Sequence, residues 1–455
     1  MKTRHAYIKL GKRYGLTFLL FLLGAANDIN AAPFRCNIGV ADITSESSVI
    51  LAGFAAREGL SNGVHMPLKT HCLVIEDDAN KVCVITNDLM EVPIIMADGL
   101  RNEISLRTGI SPDHIFIHEI HTHSAPRVSG KCSAEGGTNY NYAKKTFQVI
   151  VDNAVKTIND KAGFRPFSIE VGKATSDINV NRGEKNGFCD HDVYVVRFID
   201  EQSNPIVSLI NYSCHPVSLN HRSLLVSTDF PGITTNELAK TWGGEVFYFT
   251  GASGNVNPSG GLKADTLYTQ QKGKLLADAI REIHFSKITD NNTLRVVTKE
   301  VRLPFRINKI TTEAVNKHAE EISEWNISKT WKNDVAAWRK GICDKIEKKE
   351  VKNYLPFNIG AVKVGGIVLL FSQGEPFNEY QTILRESFPG IPILFIAYTN
   401  GQNSYLPDRN AYTGKSYAYE VDQMHVYIGS PYPLSSQMPS VYESAIKNVV
   451  KKVLK

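Results

Sequence analysis

The stretch His118-Glu-Ile-His121-Thr-His123-Ser124-Ala-Pro126 sets two histidines two residues apart where an apolar run gives way to polar residues. On a strand, residues two apart face the same side, so His121 and His123 are expected to converge on one metal ion or one reacting atom, with His118 facing the other way in a structural role. Packing explains polar residues at a strand end poorly; the alternative is surface or hydrogen-bonded core histidines. A second histidine closes the run Asn211-Tyr-Ser-Cys-His215-Pro216-Val217. Taken alone, His215 reads equally as a ligand or as a satisfied core histidine. Downstream, Ser227-Thr-Asp229-Phe-Pro-Gly232 and Gly251-Ala-Ser253-Gly-Asn255-Val-Asn257-Pro258 read as strand-to-loop turns whose Gly and Pro content suits a backbone held close to a substrate. Ser253 misses the Gly-x-Ser-x-Gly spacing of a nucleophile elbow, which argues against a serine mechanism. The chain has neither a Gly-x-x-x-x-Gly-Lys nor a Gly-x-Gly-x-x-Gly motif, so the motifs imply no cofactor other than a metal.

The elements that must position these residues alternate between strand and helix patterns. Strands are expected at 70–76, 81–86, 114–120, 167–171, 192–198, 206–212 and 245–250, with helices over 92–108, 142–159 and about 234–241. Residues 311–352 are rich in Lys, Glu and Trp at helical spacing and predict a helical insertion or connector. Strands return at 359–364, 366–371 and 391–397. A Tyr/Gly/Asn-rich loop follows over 398–419, then an amphipathic helix near 441–454 with Ile446, Val449, Val450, Val453 and Leu454 on one face. The lysines of that last helix are read as the solvated face of a packing helix rather than a membrane-surface contact. This pattern predicts an α/β fold: mixed β-sheets flanked by helices in one large catalytic domain spanning 33–455.

Composition sets the compartment and the partners. The 455 residues carry a formal net charge of +5, but the first 32 hold Lys2, Arg4, Lys9, Lys12 and Arg13 against Asp28 alone, so four of those five charges belong to this leading stretch. Its basic start, apolar run over 16–26 and small residues before Pro33 have the layout of a secretory signal peptide, and a secreted or periplasmic destination is expected. Without that excess no basic stripe remains, which sets nucleic acid aside as a partner. The seven cysteines contain no Cys-x-x-Cys pair, so a structural zinc site built from them is not expected, and no particular disulfide is indicated.

Taken together, Gly39-Val-Ala-Asp-Ile-Thr44, Leu51-Ala-Gly-Phe-Ala55, Thr86-Asn-Asp88-Leu89, His121-Thr-His-Ser124, the 211–217 run, Asp229-Phe-Pro-Gly232 and Gly254-Asn-Val-Asn-Pro258 resemble, in order, the neutral/alkaline non-lysosomal ceramidase family, in its N-terminal catalytic domain only. The resemblance implies a zinc-dependent amidase acting on the N-acyl bond of ceramide. By position, it implies His121, His215, Glu375 of Ser372-Gln-Gly-Glu-Pro376 and Tyr405 of Asn403-Ser-Tyr-Leu-Pro407 as metal ligands. It further implies His123 as a hydrogen-bonding or proton-transfer group, Arg182 as a substrate contact, and either Tyr417 or Tyr419 as a second active-site tyrosine. Asn257 stands where the family carries a serine, so headgroup recognition is expected to differ. The expected substrate is ceramide or a related N-acylated lipid, with peripheral membrane contact an accompanying possibility. The alternatives are a metal-dependent hydrolase of an acylated sugar, peptide or lactone, and an exported binding protein that has lost catalysis.

Overall fold

The computed structural model describes residues 34–289, 293–325 and 328–455, so the expected signal peptide lies outside the described residues. Three mixed sheets of four or five strands dominate the fold, with three two-stranded ladders beside them among the described residues, and the three mixed sheets follow one plan. In the first, Ile115–Glu119, Lys81–Asn87, Lys69–Glu76, Arg35–Asp42 and Arg165–Pro166 lie side by side. In the second the order is Glu245–Thr250, Pro205–Tyr212, Asp192–Ile199, Ser168–Thr175 and Phe285–Ile288, and in the third it is Leu294–Pro304, Tyr354–Val364, Ile367–Ser372 and Ile393–Ile396. Neighbours run antiparallel except for one parallel edge pair per sheet: Lys81–Asn87 with Ile115–Glu119, Pro205–Tyr212 with Glu245–Thr250, and Ile367–Ser372 with Ile393–Ile396. A parallel pair needs a crossover, supplied by the helices Ile94–Thr108, Asp229–Trp242 and Glu379–Ser387 respectively.

Period-2 alternation explains why these strands read as continuous apolar runs. Leu73, Ile75, Val82, Val84 and Phe116 of the first sheet join a central core with Val196, Phe198 and Leu209 of the second and Leu369, Phe371 and Ile396 of the third. The intervening Cys72, Val74, Cys83 and Ile85 face the opposite way, onto helices Ile94–Thr108 and Tyr140–Asn159. The sheets therefore share one interior and carry helices outside, which buries both of their faces. Mixed sheets flanked by helices were expected, and this is the arrangement found.

Several boundaries differ from the sequence expectation. The helix expected near 234–241 begins at Asp229, because Phe230, Pro231 and Gly232 are its first turn and not a substrate-facing loop; proline is tolerated there because a first-turn N–H has no intrahelical partner. The strand Leu294–Pro304 was not anticipated: only one face of this outer strand meets the core, and Arg295, Lys299, Glu300 and Arg302 break its apolar pattern. Helices Thr266–Arg281 and Glu379–Ser387 were also unforeseen. The 311–352 region holds two helices, Thr312–Ser323 and Lys329–Glu347, capped by Thr311 and Ser328. The C-terminal helix Met438–Val453 buries Tyr442, Ile446, Val449, Val450 and Val453 against the third sheet. No helix among the described residues is long and apolar enough to cross a membrane.

Candidate metal centre

The residues singled out for chemistry emerge where the parallel strands end. His121 and His123 follow Ile115–Glu119, His215 follows Pro205–Tyr212, Glu375 follows Ile367–Ser372, and Ser253 follows Glu245–Thr250. Carboxyl ends of parallel strands are where open α/β sheets bind ligands, and here the ends of all three sheets converge.

His121 and His123 meet, but not by strand alternation. The strand stops at Glu119, and His121 takes a left-handed backbone, φ 69°, with its N–H on the Leu89 carbonyl. Asp229 and Tyr398, at φ 60° and 51°, are likewise left-handed without being glycine. Such conformations persist only where the surroundings enforce them, and they cluster at functional sites.

Two rings have their tautomer fixed. Nδ1 of His121 lies 2.8 Å from the Met90 carbonyl and Nδ1 of His215 lies 2.6 Å from the Ser253 carbonyl; a carbonyl only accepts, so each Nδ1 donates. In the neutral ring Nε2 then carries a lone pair. Those two Nε2 atoms lie 3.5 and 3.0 Å from Oε2 of Glu375. Burial pushes His215 down to about 4, with Arg182 and His121 adding to the shift against the pull of Glu375, so at neutral pH its ring carries one proton, already spent on Ser253. Burial opposes the charge of Glu375 as well; positive charge and N–H donation from His121 and His215 would outweigh it and hold the carboxyl well below the usual range, but with both Nε2 lone pairs bare that support falls to a bound cation. Lone pairs of an imidazole and a carboxylate thus face each other across 3.0 Å, an arrangement that a cation between them satisfies.

Spacing agrees with a tetrahedral metal. Ligands about 2.1 Å from zinc lie about 3.4 Å from one another, and the atoms of His121, His215 and Glu375 are 3.0 and 3.5 Å apart. His123 also approaches, its Nε2 3.3 Å from that of His121, and one nitrogen from each of the three histidines fits within 4.8 Å of the others. His123 differs in having a buried Nδ1 without a partner, so no carbonyl fixes its tautomer; burial first, then its histidine neighbours, pushes its pKa well below the ordinary value. It is wedged against Phe54 with ring centres 5.1 Å apart.

Around this cluster, Tyr405 pairs with Glu375 in a short parallel ladder, and the Arg182 guanidinium lies 5.1 Å from the Tyr405 ring centre. Arg182 donates from Nε and Nη2 to Oε1 of Glu420 at 3.0 and 2.6 Å. The two expected tyrosines make different contacts. Tyr417 spends its hydroxyl on Asn181 at 2.7 Å and packs on Phe377, whereas Tyr419 sets its ring 5.9 Å from that of Tyr405. Asn257 pairs with Val180 beside Arg182, and its buried Oδ1 has no partner; the preceding Val256 carbonyl accepts the His215 N–H. His118 is structural as expected, held between the Thr86 hydroxyl and the Thr250 N–H.

Sequence reasoning missed three residues here. Gln402 donates from Nε2 to Oε1 of Glu375, leaving Oε2 for the histidines. Tyr398 stacks on His121 with ring centres 4.2 Å apart and reaches the Ser253 hydroxyl at 3.1 Å. Glu420 pairs with Arg182 and fixes the direction of its guanidinium. All three lie in the Tyr/Gly/Asn-rich region or just past it, and only its unusual density of polar aromatics pointed there.

Fold and site define an α/β protein with a buried histidine–carboxylate cluster that fits a metal ion. Residues 34–248 match the family described as neutral/alkaline non-lysosomal ceramidase, N-terminal, and over that stretch the chain is similar to its members. Among curated relatives, the neutral ceramidase of Oryza sativa subsp. japonica is 25% identical over 236 residues, covering 48% of this chain and 30% of the relative. The neutral ceramidase of Pseudomonas aeruginosa is 23% identical over 271 residues, 54% of this chain and 40% of the relative. The matched stretch therefore spans well under half the length of these relatives. The crystal structure of neutral ceramidase from Pseudomonas aeruginosa superposes with a TM-score of 0.67 at 18% identity, covering 92% of this chain and 74% of that chain, so the likeness in fold runs far beyond residue 248.

Proposed function

We propose that this protein is an exported zinc-dependent amidase that hydrolyses the N-acyl bond of ceramide or a related N-acylated lipid. The observation that carries the reading is the convergence of Nε2 of His121, Nε2 of His215 and Oε2 of Glu375, with both rings locked by carbonyls in the tautomer a metal requires. These three residues, with Tyr405 as a fourth, would hold the ion. Zinc bound there supplies a Lewis acid for the amide carbonyl and lowers the pKa of a coordinated water to about 7.

The chain's own groups do the rest. Burial of His121, His215 and Glu375 to 2% exposure or less keeps bulk water out, so local charges act at low dielectric. Gln402 and Tyr398 fix the orientation of Glu375 and of His121. Arg182, held in place by Glu420, presents positive charge beside Tyr405, where it stabilises negative charge developing on the acyl oxygen. An amine leaves poorly unless protonated, and His123, kept neutral by burial and with Nδ1 uncommitted, is suited to take a proton from the attacking water and pass it to the amine.

A second reading keeps the centre and changes the acylated substrate. It is favoured by Asn257, whose unpartnered Oδ1 takes the place of the family serine beside His215. Incubating the purified protein with short-chain ceramide, and in parallel with acylated sugars, peptides and lactones, tests both. Fatty-acid release from ceramide supports the first, and hydrolysis confined to the other substrates supports the second. A protein that carries zinc and cleaves none of them contradicts both and leaves a binding role.

A further inference from the structure

Tyr405 is the first of a run of rings leading away from the metal centre. Its ring centre is 5.9 Å from that of Tyr419, which is 6.0 Å from Tyr427, which is 5.9 Å from Trp331. Tyr405 and Trp331 are buried, whereas Tyr419 and Tyr427 are 42% and 48% exposed. The centre of the run is thus an open aromatic face with closed ends. Residues Tyr419–Gln423 form a π-helical turn, a geometry frequent at functional sites, and the helix Met424–Ile428 continues it. The turn directs Tyr419 toward Tyr405 and Glu420 toward Arg182.

The insertion helices hold this segment rigidly. Trp338 donates its indole N–H to the Ser430 carbonyl at 2.8 Å, and Nε2 of His318 meets Nε2 of His425 at 3.1 Å beneath the turn. The two carboxylates of the turn are engaged, Glu420 by Arg182 and Asp422 by Arg306. Beyond the phenol hydroxyls, the wall offers ring faces and no free charged group from its own turn. That suits an alkyl chain better than a polar headgroup, and tyrosine is the residue for a surface apolar on one side and wet on the other.

We propose that Tyr419 and Tyr427, backed by Trp331, form a subsite for one hydrocarbon chain of the substrate, extending from the metal centre along the insertion. The proposal rests on the amidase reading for the identity of the reacting group, though not for binding of the chain itself. A chain lying on an open wall buries about half of its surface, so affinity rises about twofold per methylene, against about fourfold for full burial.

Binding and turnover are measured separately on the full mature chain, on Tyr427→Ala and on Tyr427→Phe. Bromine-labelled dodecanol, which has no acyl bond to hydrolyse and is read by quenching of intrinsic fluorescence, reports binding without turnover; the Kd should rise about tenfold in Tyr427→Ala and stay unchanged in Tyr427→Phe. Ceramides lengthened in the acyl chain, and separately in the amine chain, report turnover. kcat/KM should rise with length in one of the two series, and Tyr427→Ala should flatten that series while leaving kcat on its shortest member unchanged. An unaltered Kd in Tyr427→Ala overturns the subsite even if ceramide is cleaved, and so do equal length dependences in the two proteins. Weakened binding supports the subsite even if no amide is cleaved, which separates its fate from that of the amidase reading.

Discussion

Replacing Gly53 by alanine moves His123 without touching the other residues of the metal centre. Gly53 has φ +98°, and a Cβ built there would lie 2.4 Å from Cγ and Nδ1 of His123. The ring would have to withdraw by about 1 Å to reach ordinary contact. It cannot do so freely, because Phe54, His121 and His215 hold it with ring centres at 5.1, 4.9 and 5.7 Å. The backbone conformation alone costs a non-glycine residue roughly 1–3 kcal/mol, and misplacing a reacting group by about 1 Å costs about 100-fold in rate. Gly53→Ala should therefore lower Tm by a few degrees and kcat by about 100-fold, with KM nearly unchanged. Zinc content should stay at the wild-type level, since His121, His215 and Glu375 are not displaced. Circular dichroism melts, steady-state amide hydrolysis and elemental analysis read the three quantities. Wild-type kcat would refute the packing argument, and loss of zinc along with activity would make His123 a ligand rather than a proton carrier.

Other consequences follow from buried charge and buried polar groups. His71 and His118 are fully buried, and burial pushes each down to about 3. Against an unfolded value near 6.5, each contributes stability that is present above pH 6.5 and drains away as pH falls toward 3, about 2 kcal/mol of it by pH 5. Asp88, raised by burial to about 7, acts in the opposite sense, so the check is a comparison: the change in urea-unfolding free energy between pH 7 and pH 5 should differ by about 2 kcal/mol between wild type and His118→Gln. Glu420→Ala strands the Arg182 charge and should cost about 3 kcal/mol, more than the double replacement of both residues by methionine, measured in the same unfolding assay. Asp229 accepts hydrogen bonds from the Ser218 N–H and hydroxyl and from the Leu219 and Phe230 N–H groups, anchoring the chain just past His215. Asp229→Ala should lower unfolding free energy by roughly 2–4 kcal/mol, since it leaves those buried donors unpaired.

The fold was legible wherever strands are buried on both faces. The 206–212 and 245–250 runs are dominated by apolar β-formers, with Ser208 and Asn211 the polar residues of the first and Glu245 and Thr250 bounding the second, and they fall within a residue or two of the strands found. Legibility failed where one face meets solvent, as in Leu294–Pro304, and where a proline-bearing helix start mimics a turn, as at Asp229. At the site, histidines placed at strand ends were visible in the sequence because packing does not call for them there. Glu375 and Tyr405 carry no such signal and were named only through the family resemblance. Gln402, Tyr398 and Glu420 were missed because their roles depend on contacts between segments far apart in the chain, including Arg182 and Glu420, which are 238 positions apart. The shared plan of the three sheets was likewise hidden, since it resides in the order of strands and no fixed sequence period accompanies it.

The most direct test of the metal centre is zinc stoichiometry by elemental analysis of the mature protein, compared with His121→Ala and His215→Ala and read alongside fatty-acid release from short-chain ceramide. One zinc per chain in the wild type, with zinc and hydrolysis lost together in both variants, is the predicted result. A protein that hydrolyses the amide without bound metal, or whose zinc survives loss of both histidines, would contradict the account.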